Sequence, residues 1–318
     1  MTRPPSADGN APMNTPPLSA QTISLSLAYC PSFDWHATLD WLEARAIPGV
    51  EAVTRHRGGC HVRSVHLEGH GGCITIDAAP EADSLRVEVP AALQPVVAQL
   101  MMRVGRQFDV DAEPQRIGAH LAADPRLAPL VAKRPGLRLQ GAFDAFELAW
   151  RAVLGQQVTV RAATTLAGRL VRLLAEPLPD APVHTLTHRP LHADRLADAS
   201  VAAIQRIGLP RTRAGTLVAL ARAVADGELP ELANHTNTPD PVQFMQRFMA
   251  LPGIGPWTAE YVALRALRCT DAFPAADLGL RKAMGGMSAR DLIAAAEPWR
   301  PFRAYAAHHL WASLADGS

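Results

Sequence analysis

Aromatic residues, cysteine and net charge are all scarce in this 318-residue chain. Aromatics make up 5%, so a stretch that concentrates them carries information. The four cysteines, Cys30, Cys60, Cys73 and Cys269, lack paired short spacing, which argues against a disulfide framework and for a reducing compartment. Cys269 alone stands in the C-terminal half, so the four closely spaced cysteines of a C-terminal iron–sulfur site are missing. The formal net charge is +1, so overall charge gives no support to a nucleic-acid partner. Any such field has to come from local clustering of the 31 Lys and Arg. No apolar run is long enough to span a bilayer, and residues 1–21 lack the apolar core of a signal peptide. With Pro4, Pro5, Pro12, Pro16 and Pro17, that segment reads as a disordered tail of a cytoplasmic protein. No internal repeat is found.

What is present is a folded chain, 48% hydrophobic and 19% charged, long enough for two or three cooperating domains. Ile23, Leu25, Leu27 and Tyr29 alternate with Ser24, Ser26 and Ala28, the period of a half-buried strand. Asp34 is placed to cap a helix carrying Trp35, Leu39 and Leu42 on one face. Strand-like runs follow at His61–Leu67, Cys73–Asp77 and Leu85–Val89, then a helical pattern through Val97, Leu100, Met101, Val104 and Phe108. Residues 22–115 thus read as a small α+β domain with an antiparallel sheet. Beyond it the β signals stop, and 116–318 reads as all-helical, two subdomains with a cleft between them. Within that region Asp144 and Glu147 have the spacing of a capping box, and Gly155-Gln156-Gln157 interrupts a helical pattern that resumes to about Leu174. Asp240-Pro241, Ser288 and Pro301 mark further helix starts.

Cys60, His61, His66, His70 and Cys73 lie close together in the N-terminal domain and raise the question of zinc. Strand alternation sends Cys60 and His61 to opposite faces, and neither spacing matches a finger, so zinc is disfavoured.

The most informative stretch is Leu251–Leu280, LPGIGPWTAEYVALRALRCTDAFPAADLGL. Leu251-Pro252-Gly253-Ile254-Gly255 is a tight glycine hairpin, and Pro256 suits the first position of a new helix. The uncovered amides there, with the helix dipole, favour a phosphate. A short loop then leads to Asp277, a lone carboxylate among small and apolar neighbours. Each half has a bland reading: the hairpin as a packing turn, Asp277 as an N-cap. Trp257, Tyr261, Phe273, Trp299, Phe302, Tyr305 and Trp311 crowd this part of the chain. Trp257 and Tyr261 fall one helical turn apart on the same face, and spacing alone favours a core stripe over a pocket wall.

The combination resembles the helix-hairpin-helix DNA glycosylases. From about Ile23 to Ala315 the chain is similar to one branch of them, the DNA-3-methyladenine glycosylase II family of bacterial alkylpurine glycosylases. The runs carrying the resemblance are FDAFELAWRAVLGQQVTV (Phe143–Val160), RPGLRL (Arg134–Leu139), LPGIGPWTAEYVALR (Leu251–Arg265) and PWRPFRAYAAHHLW (Pro298–Trp311), in the expected order. The resemblance implies hydrolysis of the N-glycosidic bond of an alkylated purine flipped from double-stranded DNA, as 3-methyladenine or 7-methylguanine is. It implies Asp277 as the catalytic carboxylate and Trp257, Tyr261 and Trp311 as the walls of the base pocket, whose ring faces attract a cationic base. Gln157, Gly253 and Gly255 would contact DNA, Gln157 at the position of the wedge that fills the gap left by the flipped base. The family also places a monovalent cation between a phosphate and hairpin carbonyls, here those of Met249, Leu251 and Ile254; no other cofactor is implied. In bifunctional relatives a Schiff-base lysine occupies the position of Trp257, so a monofunctional enzyme without lyase activity is expected.

The sequence departs from the family in having polar Gln157 where an apolar wedge is usual, and Ala275-Ala276 where a Pro-Asp pair precedes the aspartate. Arg211, Arg213, Arg281 and Lys282 are equally well read as phosphate contacts or as solvated charges. Two other functions compete: a non-catalytic helix-hairpin-helix protein that binds DNA structure, and a glycosylase for deaminated or oxidised bases. Asp277 beside the aromatic set counts against the first, and the missing lysine against an oxidised-base enzyme. A monomer located with the bacterial nucleoid is expected.

Overall fold

The structure, a computed structural model, describes residues 22–179, 183–233 and 240–316. Segment 1–21, read above as a tail, lies outside them. The N-terminal part holds five strands, β1 (Thr22–Ala28), β2 (Glu51–Thr54), β3 (Cys60–Leu67), β4 (His70–Ala79) and β5 (Ser84–Pro90). They form one antiparallel sheet in the order β1-β5-β4-β3-β2. In β1 half-buried Ile23, Leu25 and Leu27 alternate with exposed neighbours, as a strand wet on one face requires. The sequence reading omitted β2. At four residues it is too short to show alternation, and its pairing with β3, Glu51 opposite Arg63, defines it.

Two helices close this unit. Asp34 caps α1 (Trp35–Arg45), accepting from the Ala37 amide at 3.0 Å, and α1 buries Trp35, Leu39 and Leu42. Leu100, Val104 and Phe108 of α2 (Val97–Phe108) are buried in the same core as Val65, Ile74, Ile76, Leu85 and Val87 of the sheet. The cysteine–histidine cluster of this domain is dispersed by the strands. Cys60 Sγ lies 3.1 Å from Thr54 Oγ1, and buried His61 has Nε2 3.5 Å from Glu51 Oε1. His66 pairs with His192, ring nitrogens 2.9 Å apart. Among the described residues no set of three or more His, Cys, Asp or Glu could hold a metal ion.

The rest of the chain is helical: α3 (Pro114–Leu121), α4 (Ala128–Lys133), α5 (Ala145–Leu154), α6 (Val160–Leu174), α7 (Ala193–Ala197), α8 (Val201–Gln205) and α9 (Arg211–Ala225), followed by α10 (Pro230–Ala233), α11 (Pro241–Met249), α12 (Pro256–Arg265), α13 (Leu278–Ala283), α14 (Ala289–Ala295) and α15 (Arg303–Asp316). The short α7 and α10 carry too few residues to show a helical period, and the sequence reading passed over them. Pro301 precedes α15 by two residues rather than opening it.

Two cores organise these helices. One takes Trp150 of α5, Leu170 of α6, Leu217 and Leu220 of α9, and Phe244 and Phe248 of α11. The other takes Leu121, Leu280 and Leu292 with Trp299, Tyr305 and Leu310. Helix α12 serves both, giving Ala259 and Val262 to the first and Ala263 and Leu264 to the second. A helix buried on two sides is fixed in position by both, and the hairpin that feeds it is fixed with it.

The sheet is joined to α5 by a buried charge cluster. Arg63 of β3 is 1% exposed; its Nη1 donates to Glu51 Oε1 at 3.2 Å and its Nη2 to Glu147 Oε2 at 3.1 Å. The predicted capping box is therefore half formed. Asp144 accepts from the Glu147 amide at 2.8 Å, but the Glu147 carboxylate turns to Arg63 instead of returning to the cap. Burial raises the Glu147 carboxyl to about 7 against the pull of Arg63. Burial acts the same way on Glu51, but there His61 and Arg63 outweigh it and the carboxyl is lowered. Among the described residues no helix is long and apolar enough to cross a membrane.

Candidate active site

Gly253 has φ +81, and a Cβ there would stand 2.2 Å from Thr216 Oγ1 of α9, so both conformation and space require glycine. Gly255 is the N-cap of α12, and a Cβ on it would meet nothing within 4 Å, which leaves the approach to the helix start open. Pro256 takes the first helical position as expected. The hairpin is tied to the α5–α6 turn by Gln156, whose Nε2 donates to Gly253 O and to Thr258 Oγ1, both at 3.0 Å. Sequence reasoning picked the neighbouring Gln157 and missed this brace. Gln157 itself is exposed and sits at φ +57, a left-handed conformation between α5 and α6.

The carboxylate of Asp277 is placed by three donors. As N-cap of α13 it accepts from the Leu280 amide through Oδ1 at 3.0 Å. Trp311 Nε1 donates to the same Oδ1 at 2.9 Å, and Trp257 Nε1 donates to Oδ2 at 2.9 Å. Asp277 is thus the N-cap that its position implied, and the same geometry leaves its carboxylate in the wall of a cavity. Gly279 leaves room for it, since a Cβ there would lie 3.0 Å from Asp277 Oδ1 and 3.2 Å from Trp311 Cδ1. The preceding loop, with its Ala275-Ala276 departure, is anchored to α12: Glu260 Oε2 accepts from the Phe273 amide at 3.0 Å.

Around this carboxylate is a cavity of about 570 Å³, within the usual range for a small-molecule site. Trp257 and Tyr261 stack on α12, centroids 5.4 Å apart and planes at 13°. Trp311 of α15 stands edge-on to Tyr261 at 6.1 Å. The four residues Asp277, Trp257, Tyr261 and Trp311 all line the cavity, so the structure brings together what the sequence reading had scattered over 55 positions (257–311).

The lining also includes side chains that reading did not anticipate. Trp41 and Arg45 come from α1 of the N-terminal domain, with Arg45 Cζ 3.4 Å from the Trp41 ring centroid. Arg151, Gln140, Arg265 and His308 are further polar members of the lining, with Asp40, Arg134, Thr159 and Thr164 beside them. Their signal was faint: Trp41 lies beside the apolar face of α1 rather than on it, and Arg265 follows Tyr261 by the four residues that place it on the same face. Arg265 Nη1 donates to the Tyr261 hydroxyl at 2.7 Å, while its other nitrogens reach the carbonyls of Gln140 and Gly141. Burial raises the Tyr261 phenol, but Arg265, Arg45 and Arg151 together outweigh it and leave it below its ordinary value. Burial brings Arg45 down to about 10, with Arg265 and Arg151 acting in the same direction. Arg151 directs its charge to Glu51, 3.7 Å away, and to the Arg45 carbonyl. The guanidiniums are thus committed to protein acceptors.

The fold superposes on the 3-methyladenine DNA-glycosylase from Archaeoglobus fulgidus with TM-score 0.75 at 21% identity, covering 90% of this chain and 97% of that one. It superposes on MBOgg1, solved with a low-affinity DNA ligand, with TM-score 0.73 at 16% identity, covering 93% and 96%. The fold is that of the helix-hairpin-helix DNA glycosylases, carrying an N-terminal α+β unit. A family model for the AlkA N-terminal domain matches residues 24–144. Over 286 residues, 90% of its length, the chain is 36% identical to DNA-3-methyladenine glycosylase 2 of Escherichia coli and covers 96% of that protein. It belongs to the DNA-3-methyladenine glycosylase 2 family. It is also 38% identical over 301 residues to the probable bifunctional transcriptional activator/DNA repair enzyme AlkA of Mycobacterium tuberculosis, of which it spans 58%.

Proposed function

We propose that this protein is a monofunctional DNA glycosylase acting in base excision repair, and that it releases alkylated purines of the 3-methyladenine and 7-methylguanine type from double-stranded DNA. The observation that carries the reading is the Asp277 carboxylate, held by two indole N–H groups in the wall of a cavity faced with stacked aromatic rings.

The chemistry follows from that placement. A purine alkylated on a ring nitrogen is cationic and leaves readily, and its transition state puts positive charge on the sugar. The base has to leave the stack to reach the cavity. The faces of Trp257, Tyr261 and Trp311 attract it there, and Asp277 stabilises the oxocarbenium-like sugar. Water then adds to C1′, the bonding pair departs with the base, and the water proton passes to Asp277 or solvent. Because Asp277 is held by three N–H donors, it is suited to stabilising charge in place. Position 257 offers an indole and no amine, so no Schiff base forms.

Gly253 and Gly255 present the hairpin amides to a phosphate, and exposed Gln157 fills the gap in the duplex and faces the orphaned partner base. A monovalent cation would be held by the carbonyls of Met249, Leu251 and Ile254. The Leu251 carbonyl accepts from the Ile254 amide at 3.2 Å and keeps a second lone pair for such an ion. The protein acts as a monomer in the cytoplasm, on the nucleoid. Incubation with duplex DNA carrying 3-methyladenine tests the reading. Free base should appear while the strand stays intact until alkali is added; strand cleavage without alkali would rule out the monofunctional assignment.

A further inference from the structure

The rings and the carboxylate account for the capture of a cationic base, but they leave one side chain of the cavity unexplained. His308 lies on α15 one turn before Trp311, lines the cavity and is 2% exposed. Its ring sits between two indoles, T-shaped to Trp41 at 4.9 Å and to Trp311 at 5.4 Å. Its Nε2 is buried and has no hydrogen-bond partner among the described residues. Buried polar atoms in folded proteins are nearly always paired, and an exception inside a ligand cavity is a place where a ligand supplies the partner.

The other polar groups of the wall say what kind of partner. The guanidiniums of Arg45, Arg151 and Arg265 put positive charge in the wall although their N–H groups are held by protein acceptors, and the two indole N–H groups donate to Asp277. Both Asp277 oxygens are engaged, the Asp40 carboxylate is exposed and paired with Arg55, and Gln140 donates its Nε2 to Thr38 of α1 at 3.0 Å, leaving Oε1 as the other buried acceptor of the lining without a partner among the described residues. A carbonyl on the ligand is well served by such walls; an amine needs an acceptor. Burial, with Arg265, His309 and Arg45 beside it, keeps the His308 imidazole neutral, and a neutral imidazole offers one lone pair.

We propose that His308 is a specificity-determining residue whose Nε2 accepts a hydrogen bond from the exocyclic amine of the flipped purine, favouring 6-amino over 6-oxo bases. This rests on the glycosylase reading above. The aromatic walls attract any cationic purine; His308 adds discrimination at the edge of the ring.

The test is base release from matched duplexes carrying 3-methyladenine or hypoxanthine, by the native protein, His308→Leu and His308→Asn. Leucine keeps the apolar contacts with Trp41 and Trp311 and removes the lone pair. His308→Leu should lower kcat/KM for 3-methyladenine about tenfold, the effect of one hydrogen bond, with hypoxanthine changed less than about twofold. His308→Asn restores an acceptor and should recover part of the preference. Equal losses on both bases would mean that His308 only packs the indoles, and a selective loss on hypoxanthine would mean that it donates; either result overturns the proposal. If the native protein releases neither base, the glycosylase reading fails and this inference falls with it. If 3-methyladenine is released and the ratio does not move in His308→Leu, this inference alone fails.

Discussion

Removing the indole donors that hold Asp277 should slow catalysis by an amount the hydrogen-bond count sets. Among the described residues Oδ2 has one donor, Trp257 Nε1 at 2.9 Å, whereas Oδ1 has two, Trp311 Nε1 at 2.9 Å and the Leu280 amide at 3.0 Å. A hydrogen bond to a charged acceptor contributes about 1.5–3 kcal/mol, which is roughly 10- to 150-fold in rate if it is needed in the transition state. Trp257→Phe strips Oδ2 and should fall toward the upper end. Trp311→Phe leaves the Leu280 amide in place and should cost about tenfold. Phenylalanine keeps a ring for stacking, so the lost N–H dominates. The assay is single-turnover release of 3-methyladenine with enzyme in excess, repeated in an Asp277→Asn background. There the indole N–H groups no longer hold a charge, and the same substitutions should add less than about threefold. A Trp257→Phe enzyme within about twofold of native, or an undiminished loss in the Asp277→Asn background, would refute the reasoning.

Other consequences follow from the same geometry. Gly253→Ala places a Cβ 2.2 Å from Thr216 Oγ1 at φ +81, and the displaced hairpin should bind duplex DNA roughly tenfold more weakly. Gly255→Ala, with open space beyond it, should fold normally; fluorescence anisotropy compares the two. Arg63→Met leaves Glu51 and Glu147 buried without their shared cation and should cost about 3–5 kcal/mol in urea unfolding, while an exposed control such as Arg116→Met changes little. Burial, with Arg134 beside it, lowers His309 to about 4, so the unfolded chain takes up a proton there near pH 6.5 that the folded chain takes up only near 4. His309 therefore makes stability fall as pH drops through that window, by about 3 kcal/mol in all. Glu147, raised to about 7, acts with the opposite sign between 4.5 and 7. The His309 contribution is accordingly read as the difference in pH slope between native and His309→Leu unfolding curves.

Much of this architecture was legible in the sequence because local signals and tertiary demands agree. The caps at Asp34, Asp144, Asp240 and Ser288 all accept the amides that their positions imply. The alternation at β1 and the glycine hairpin before Pro256 reappear unchanged. Asp277, Trp257 and Tyr261 stood out because a linear motif, hairpin then helix then aspartate, places them in one region of sequence, and Trp311 because the run Pro298–Trp311 carries the family resemblance. The rest of the cavity has no linear signature. Trp41 and Arg45 reach it from α1, which is more than 200 residues away in the chain, and only the packing of α1 against the helical region brings them there. β2 was missed because pairing with β3, not its own four residues, makes it a strand. Arg63 was missed because a buried ion pair between β3 and α5 joins positions 84 residues apart. His308 was quoted within a motif without comment, since nothing in a sequence shows that a ring nitrogen will be left without a partner.

The central claim is that Asp277 carries glycosidic bond cleavage in a pocket reached by a flipped base. It is tested most directly by measuring 3-methyladenine release from duplex DNA by the native protein and by Asp277→Asn, with DNA affinity followed in parallel. The account predicts fast release by the native protein and only slow residual release by the near-isosteric mutant, with binding retained. Base release by Asp277→Asn at the native rate, or tight DNA binding by the native protein with no base released, would contradict it.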